Sequence, residues 1–125
     1  MAKDKIRVLV ADDEDGLRST VAAWLSDEGF SVDQAPDGLE AIKKIQSNDF
    51  DIAILDIKMP GANGLEVLRY LKKNSGTTEA VMMTGMSDIS MAVEAMKLGA
   101  REYLTKPIDM DQLVPQLKSL LKTRD

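Results

Sequence analysis

The 125-residue chain contains neither cysteine nor histidine. Without cysteine there is no disulfide, no thiol nucleophile and no zinc–thiolate site. Without histidine there is no imidazole base, no imidazole-based metal site and no phosphohistidine. No apolar run approaches the roughly 18 residues that a membrane span needs. The opening "MAKDKIRVLV" lacks the cleavage pattern of a signal peptide. Net charge is −5 with no basic block, so direct binding of nucleic acid is not expected. Together these absences point to a cytoplasmic protein that works neither in a membrane nor on DNA.

What is present describes an ordinary globular protein, 44% apolar and 30% charged. Its length suits one domain over residues 1–125 with one substantial core. Five short segments read as strands: "IRVLVA" (6–11), "VDQA" (32–35), "IAILD" (52–56), "AVMMT" (80–84) and "REYLT" (101–105). The first, third and fourth are nearly unbroken apolar runs, as expected for parallel strands covered on both faces.

Helical patterns lie between them. Leu17, Val21, Trp24 and Leu25 mark a face of the first, and Leu39, Ile42 and Ile45 a face of the second. Leu65, Leu68 and Leu71 mark the third, Ile89, Val93 and Met96 the fourth, and Leu113, Leu117, Leu120 and Leu121 the fifth. Asp37 and Asp88 stand where N-caps belong, while Gly29, Gly99 and "NSG" (74–76) stand at helix stops. Methionines 82, 83, 86, 91 and 96 are expected mostly in the core. The fold class that follows is α/β, a doubly wound five-stranded parallel sheet with five helices.

In such a sheet, ligands bind beyond the carboxyl ends of the strands, where strand order reverses. Strand one runs into Asp12 and Asp13, strand three ends in Asp56, strand four in Thr84, and strand five in Thr105 and Lys106. Singly, each has an ordinary explanation: Asp56 as a loop cap, Thr84 as a β-branched strand residue, Lys106 as a surface charge. Jointly those explanations weaken, because all these groups share one rim.

Two carboxylates about 4 Å apart repel by roughly 4 kcal/mol at an effective dielectric near 20. A hard cation would offset that repulsion, and Mg²⁺ needs only one or two carboxylates, water and phosphate oxygens. A carboxylate kept ionised beside Mg²⁺ and Lys106 can attack a phosphoryl group, with Thr84 donating to one of its oxygens. Glu14 and Asp15 read as first-turn acids favoured by the helix dipole.

The blocks "LVADDE" (9–14), "ILDIKMPGANG" (54–64), "MMTGMSD" (82–88) and "YLTKPID" (103–109) occur in an order that resembles the receiver domain of bacterial response regulators. The resemblance covers essentially the whole chain and implies a flavodoxin-like sheet of order 2-1-3-4-5. It implies Asp56 as phosphoacceptor, Asp13 as a direct Mg²⁺ ligand and Asp12 as a ligand acting largely through water. The backbone carbonyl of Lys58 would complete the metal site. Thr84 and Tyr103 correspond to a switch pair, and Lys106 to the lysine that contacts phosphate. The Lys106–Pro107 bond matches one that is cis in the family.

The implied donor is a sensor histidine kinase, a separate protein. The implied output is a repacked face of the fourth helix, fifth strand and fifth helix, acting on an output domain, a downstream protein or a second copy in a homodimer. The segment 84–109 is most similar to receivers of the nitrogen-regulator (NtrC) type, which usually precede a transcription-activating ATPase. That type commonly has "TGHGD" where this chain has "TGMSD". The chain is accordingly expected to be the N-terminal part of a longer transcriptional regulator, or a stand-alone receiver.

Three other readings share parts of this pattern. A Mg²⁺-dependent phosphatase that forms an aspartyl phosphate resembles a D-x-D arrangement, whereas Lys58 occupies the second position here. A flavodoxin-like electron carrier would place hydroxyls, not four acids, after strand one. A phosphate-independent interaction module would keep the rim residues without their chemistry.

Overall fold

The computed structural model describes residues 5–74 and 76–122. Their strands are β1 (Arg7–Ala11), β2 (Ser31–Ala35), β3 (Ile52–Asp56), β4 (Glu79–Thr84) and β5 (Glu102–Thr105). The helices are α1 (Asp15–Asp27), α2 (Gly38–Ser47), α3 (Gly64–Asn74), α4 (Ile89–Lys97) and α5 (Met110–Lys122), with a 3₁₀ turn at Met86–Asp88 leading into α4. The sheet order is β2-β1-β3-β4-β5, and every pairing is parallel. This is the expected doubly wound sheet. None of the described helices is long and apolar enough to cross a membrane.

Strand alternation divides the apolar residues into two layers. Val8, Val10, Ile52, Ile54, Val81 and Met83 pack with Val21 and Leu25 of α1 and Leu113 and Leu117 of α5. Leu9, Ala11, Ala53, Leu55 and Met82 pack on the other side with Ala41 of α2, Leu65, Leu68 and Leu71 of α3, and Ala92 and Ala95 of α4. β1 and β3 are thus apolar on both faces, as their unbroken sequence runs required. Each leucine buried here contributes about 1.5–3 kcal/mol of transfer free energy.

Two helices turn differently from their apolar pattern. α2 buries Gly38 and Ala41 with Ile42 and Ile45 beside them, leaving Leu39 exposed. α4 buries Ala92 and Ala95, and leaves Val93 and Met96 exposed with Ile89 half-buried. The physical reason is that α4 carries two apolar stripes at helical spacing, and the small-residue stripe lets the helix lie closer to the sheet. Trp24 and Met86 are also exposed, so only Met82 and Met83 of the five methionines are fully buried.

Helix ends mostly follow the local sequence. Gly29 and Gly99 take positive φ just beyond α1 and α4. Asp37 Oδ1 accepts from the Glu40 N–H at 2.8 Å, capping α2. Asp88 does not cap α4; its carboxylate pairs instead with Lys58 Nζ at 3.1 Å. Asn63 and Glu66 form a reciprocal capping box at the start of α3, with both bonds 2.9 Å. Of the "NSG" stop, Asn74 ends α3 and Ser75 lies outside the described residues.

Two glycines are demanded by close backbone approach. A Cβ on Gly38 would overlap the Ala62 carbonyl oxygen, and one on Gly64 would overlap the Asp56 carbonyl oxygen. Gly38→Ala should therefore cost about 2–3 kcal/mol in urea unfolding. Gly16→Ala, where a Cβ meets nothing within 4 Å, should stabilise α1 by about 0.5–1 kcal/mol. Equal effects of the two substitutions would contradict this packing.

Candidate functional site

Strand order reverses between β1 and β3, and the polar strand ends gather at that point. Asp12 follows β1 and is fully buried. Its N–H donates to the Ala35 carbonyl at 3.1 Å, and its own carbonyl accepts from Arg18 Nη1 at 2.8 Å. Arg18 is held in turn by Asp15 at 2.9 Å and by Gln34 Oε1 at 3.1 Å. The Asp12 side chain is directed by the next turn: Oδ1 accepts from the Glu14 N–H at 2.9 Å. Oδ2 is left buried and accepts no well-directed hydrogen bond.

Asp56 ends β3 and is 5% exposed. The chain beyond it is fixed by the Ile57 N–H on the Met83 carbonyl at 3.0 Å and the Gly64 N–H on the Ile57 carbonyl at 2.8 Å. One carboxylate oxygen from each of Asp12, Asp13 and Asp56 lies within 4.8 Å of the others. Among the described residues no other such trio is found.

Lys106 reaches this cluster from the far side of the sheet. Its N–H donates to the Thr84 carbonyl at 2.8 Å, and its peptide bond to Pro107 is cis. Nζ lies 3.1 Å from Asp12 Oδ2, 3.1 Å from Asp56 Oδ2 and 2.8 Å from Glu14 Oε1.

These contacts set the protonation of the site. Burial, followed by the charge of Asp12, pushes the Asp56 carboxyl up to about 7, against the pull of Lys106 downward. Partial burial disfavours the Lys106 ammonium, but its contacts with Glu14, Asp12 and Asp56 outweigh that, and its pKa is raised. One ammonium therefore does not fully offset the carboxylates around it. The donor set fits a further cation: three carboxylates, all hard oxygen ligands, one of whose buried oxygens has only the shared ammonium near it and no well-directed hydrogen bond.

The remaining expected residues stand nearby in a less assembled state. Thr84 is buried at the end of β4, where its hydroxyl donates to the Gly85 carbonyl at 3.1 Å. Tyr103 sits one strand further, paired with Met82 and half-buried against the core. It borders a groove of about 210 Å³ with Pro107 and Gln112. Lys58 lines a second groove of about 480 Å³ with Asp13, Asn63 and Met91.

Glu14 requires a correction. It occupies the N-cap position of α1, but its side chain caps nothing and reaches Lys106, 92 residues away. No local pattern announces so distant a partner. Arg18 also lay outside the candidate residues, and its only local signal is the i,i+3 spacing from Asp15.

In the metal-free chain, the raised carboxyl has a definite pH signature. Between its ordinary value of 3.8 and about 7, the folded chain keeps a proton on Asp56 that the unfolded chain releases. Stability from this group therefore falls as pH rises through that window. Asp56→Asn removes the penalty, so its melting temperature should match wild type near pH 4 and exceed it increasingly up to pH 8. A variant no more stable than wild type at pH 8 would contradict the burial and repulsion described.

Residues 8–118 match the family described as "Response regulator receiver domain". The chain is 35% identical over 117 residues to "Response regulator MprA" of Mycobacterium sp. (strain KMS), covering 94% of this chain and 51% of that protein. It is 38% identical over 117 residues to "Transcriptional regulatory protein TrcR" of Mycobacterium tuberculosis, covering 94% and 46%. It thus spans about half the length of the curated relatives it matches.

Among solved structures, the receiver domain of NtrX from Brucella abortus superposes with a TM-score of 0.87 at 35% identity, covering 93% of this chain and 98% of that one. A CheY-like receiver from Methanospirillum hungatei JF-1 gives 0.91 at 28% identity, covering 96% of each. With its parallel sheet and the acidic cluster at its switch point, the chain belongs to the response regulator receiver domain family.

Proposed function

We propose that this receiver accepts a phosphoryl group on Asp56 from the phosphohistidine of a sensor kinase, in the cytoplasm and with Mg²⁺, and transmits the change to an output domain or partner. The observation that carries the reading is one buried carboxylate, Asp56, placed within reach of two other acids and one ammonium. Asp12, Asp13, Asp56 and the Lys58 carbonyl would hold Mg²⁺. When bound, the cation supplies positive charge that neutralises the carboxylates and the phosphoryl oxygens.

The chain's own groups do the rest. An Asp56 carboxylate oxygen forms the new O–P bond as the N–P bond of the donor breaks, its electron pair staying on the imidazole nitrogen. Lys106 keeps its charge beside the phosphoryl oxygens, where negative charge accumulates. Since these 125 residues contain no histidine, the donor phosphohistidine lies outside them. A receiver of this kind is a signalling domain rather than a turnover enzyme. Two residues beyond Asp56, where an aspartyl-phosphate phosphatase keeps an acid/base carboxylate, Lys58 is paired with Asp88.

The bonds at the rim are compatible with the switch of this reading. To reach the phosphoryl group, the Thr84 hydroxyl must leave the Gly85 carbonyl. Tyr103 then turns inward and repacks the surface of α4, β5 and α5, where Val93 and Met96 already stand exposed. This is a population shift between two arrangements, with a usual coupling of about 1–3 kcal/mol. The curated relatives are about twice as long as this chain, which supports a receiver within a longer transcriptional regulator. A homodimer through the same surface is a further outcome of the switch.

Acetyl phosphate with Mg²⁺ should label the wild-type chain once, and Asp56→Asn should abolish the label. Labelling of that variant at an equal rate would overturn the acceptor assignment. Beryllofluoride with Mg²⁺ should shift the amide signals of Asp56, Thr84 and Tyr103 in wild type. In Lys106→Ala it should leave Thr84 and Tyr103 unmoved; a full response there would contradict the role of Lys106.

A further inference from the structure

We infer that Glu14 is a positioning residue that takes up the Lys106 ammonium when the pocket binds Mg²⁺. The inference rests on the metal reading of Asp12, Asp13 and Asp56 given above. Of the three oxygens around Nζ, two belong to Asp12 and Asp56, members of the metal cluster. Ammonium and dication therefore draw on the same atoms.

Asp12 is engaged at both oxygens: Oδ1 accepts from the Glu14 N–H, and Oδ2 lies 3.1 Å from Nζ. A cation drawn to Oδ2 competes with Lys106 for that oxygen's charge and weakens one of its contacts. Leaving a partly buried ammonium short of anionic partners is costly, and the cost would oppose metal entry.

Glu14 relieves that competition. It lies outside the metal cluster and makes the shortest of the three contacts, 2.8 Å. Its side chain is 63% exposed, against 0% for Asp12 and 8% for Asp56, so its charge carries little desolvation penalty of its own. A second observation concerns its place in the helix. At an N-cap the side chain ordinarily accepts from the first turn, yet Glu14 makes no such bond. Its carboxylate is thereby free for Lys106, while its backbone N–H aims Asp12 at the pocket. One residue sets both the ligand and the competing ammonium.

The test is a Mg²⁺ titration of the metal-free chain, followed by calorimetry and amide shifts, in wild type, Glu14→Gln, Lys106→Met and the double variant. An exposed ion pair is worth up to a factor of about five. Glu14→Gln should weaken Mg²⁺ binding by about that factor with Lys106 present, and by less than about twofold in Lys106→Met. Glu14→Ser, which supplies a capping hydroxyl but cannot reach Nζ, should behave like Glu14→Gln and so separate the effect from helix initiation. Equal losses in both backgrounds would mean that Glu14 acts through its charge alone, and would overturn the inference. Unchanged binding in Glu14→Gln, with wild type binding normally, would overturn it too while sparing the metal reading. A wild-type chain that does not bind Mg²⁺ would overturn both.

Discussion

The structure turns on one ammonium group held among three carboxylates from two separate places in the chain. Lys106 Nζ contacts Asp12 and Glu14 after β1 and Asp56 at the end of β3, all within 3.1 Å. Two like charges about 4 Å apart repel by roughly 4 kcal/mol at a dielectric near 20, so Asp12 and Asp56 cannot share a buried rim unaided. The ammonium offsets part of that repulsion, and Asp56 still sits far above its ordinary pKa. What remains is a site of net negative charge, with a buried Asp12 oxygen whose one close partner is the shared ammonium. A site built this way favours whatever brings more positive charge.

The fold fixes the acids by several backbone contacts at the centre of the sheet. Asp12 and Asp56 extend central strands that are apolar on both faces and are tied by backbone bonds to Ala35 and Met83. Arg18 and Gly64 press on the same two positions from α1 and α3, by hydrogen bond and by close backbone approach. Thr84 and Tyr103 stand toward the β5 edge, next to grooves and beside a short helix with an exposed apolar stripe.

The sheet and its helices were legible because β1, β3 and β4 are nearly unbroken apolar runs and α3 and α5 carry a strong helical period; the strand order was implied by the resemblance to receiver domains. The carboxyl-end rule placed Asp12, Asp13, Asp56, Thr84 and Lys106 on one rim, and the structure gathers the three acids within 4.8 Å of one another and sets Lys106 against Asp12 and Asp56. Periodicity failed for α4, since two apolar stripes of equal spacing cannot be ranked without knowing how near the helix lies to the sheet. It failed for Leu39 because the contact of Gly38 with Ala62 brings that end of α2 against a loop, not the sheet. Glu14 was read as a helix-dipole acid because nothing within its own turn points to a lysine at the other end of the chain. Asp15 beside it does fit that reading, paired with Arg18 in the first turn. Local rules see local partners, and functional sites are assembled from distant ones.

The central claim is that the pocket is electrostatically incomplete until a divalent cation joins Lys106. It is tested most directly by the melting temperature of the wild-type chain at pH 8 as MgCl₂ is raised at constant ionic strength. Binding to the folded state alone stabilises by about 2.7 kcal/mol at a hundredfold excess over Kd, a rise of several degrees for a chain of this size. A saturable rise of that kind is the predicted result. A melting temperature that stays flat across the titration would contradict it.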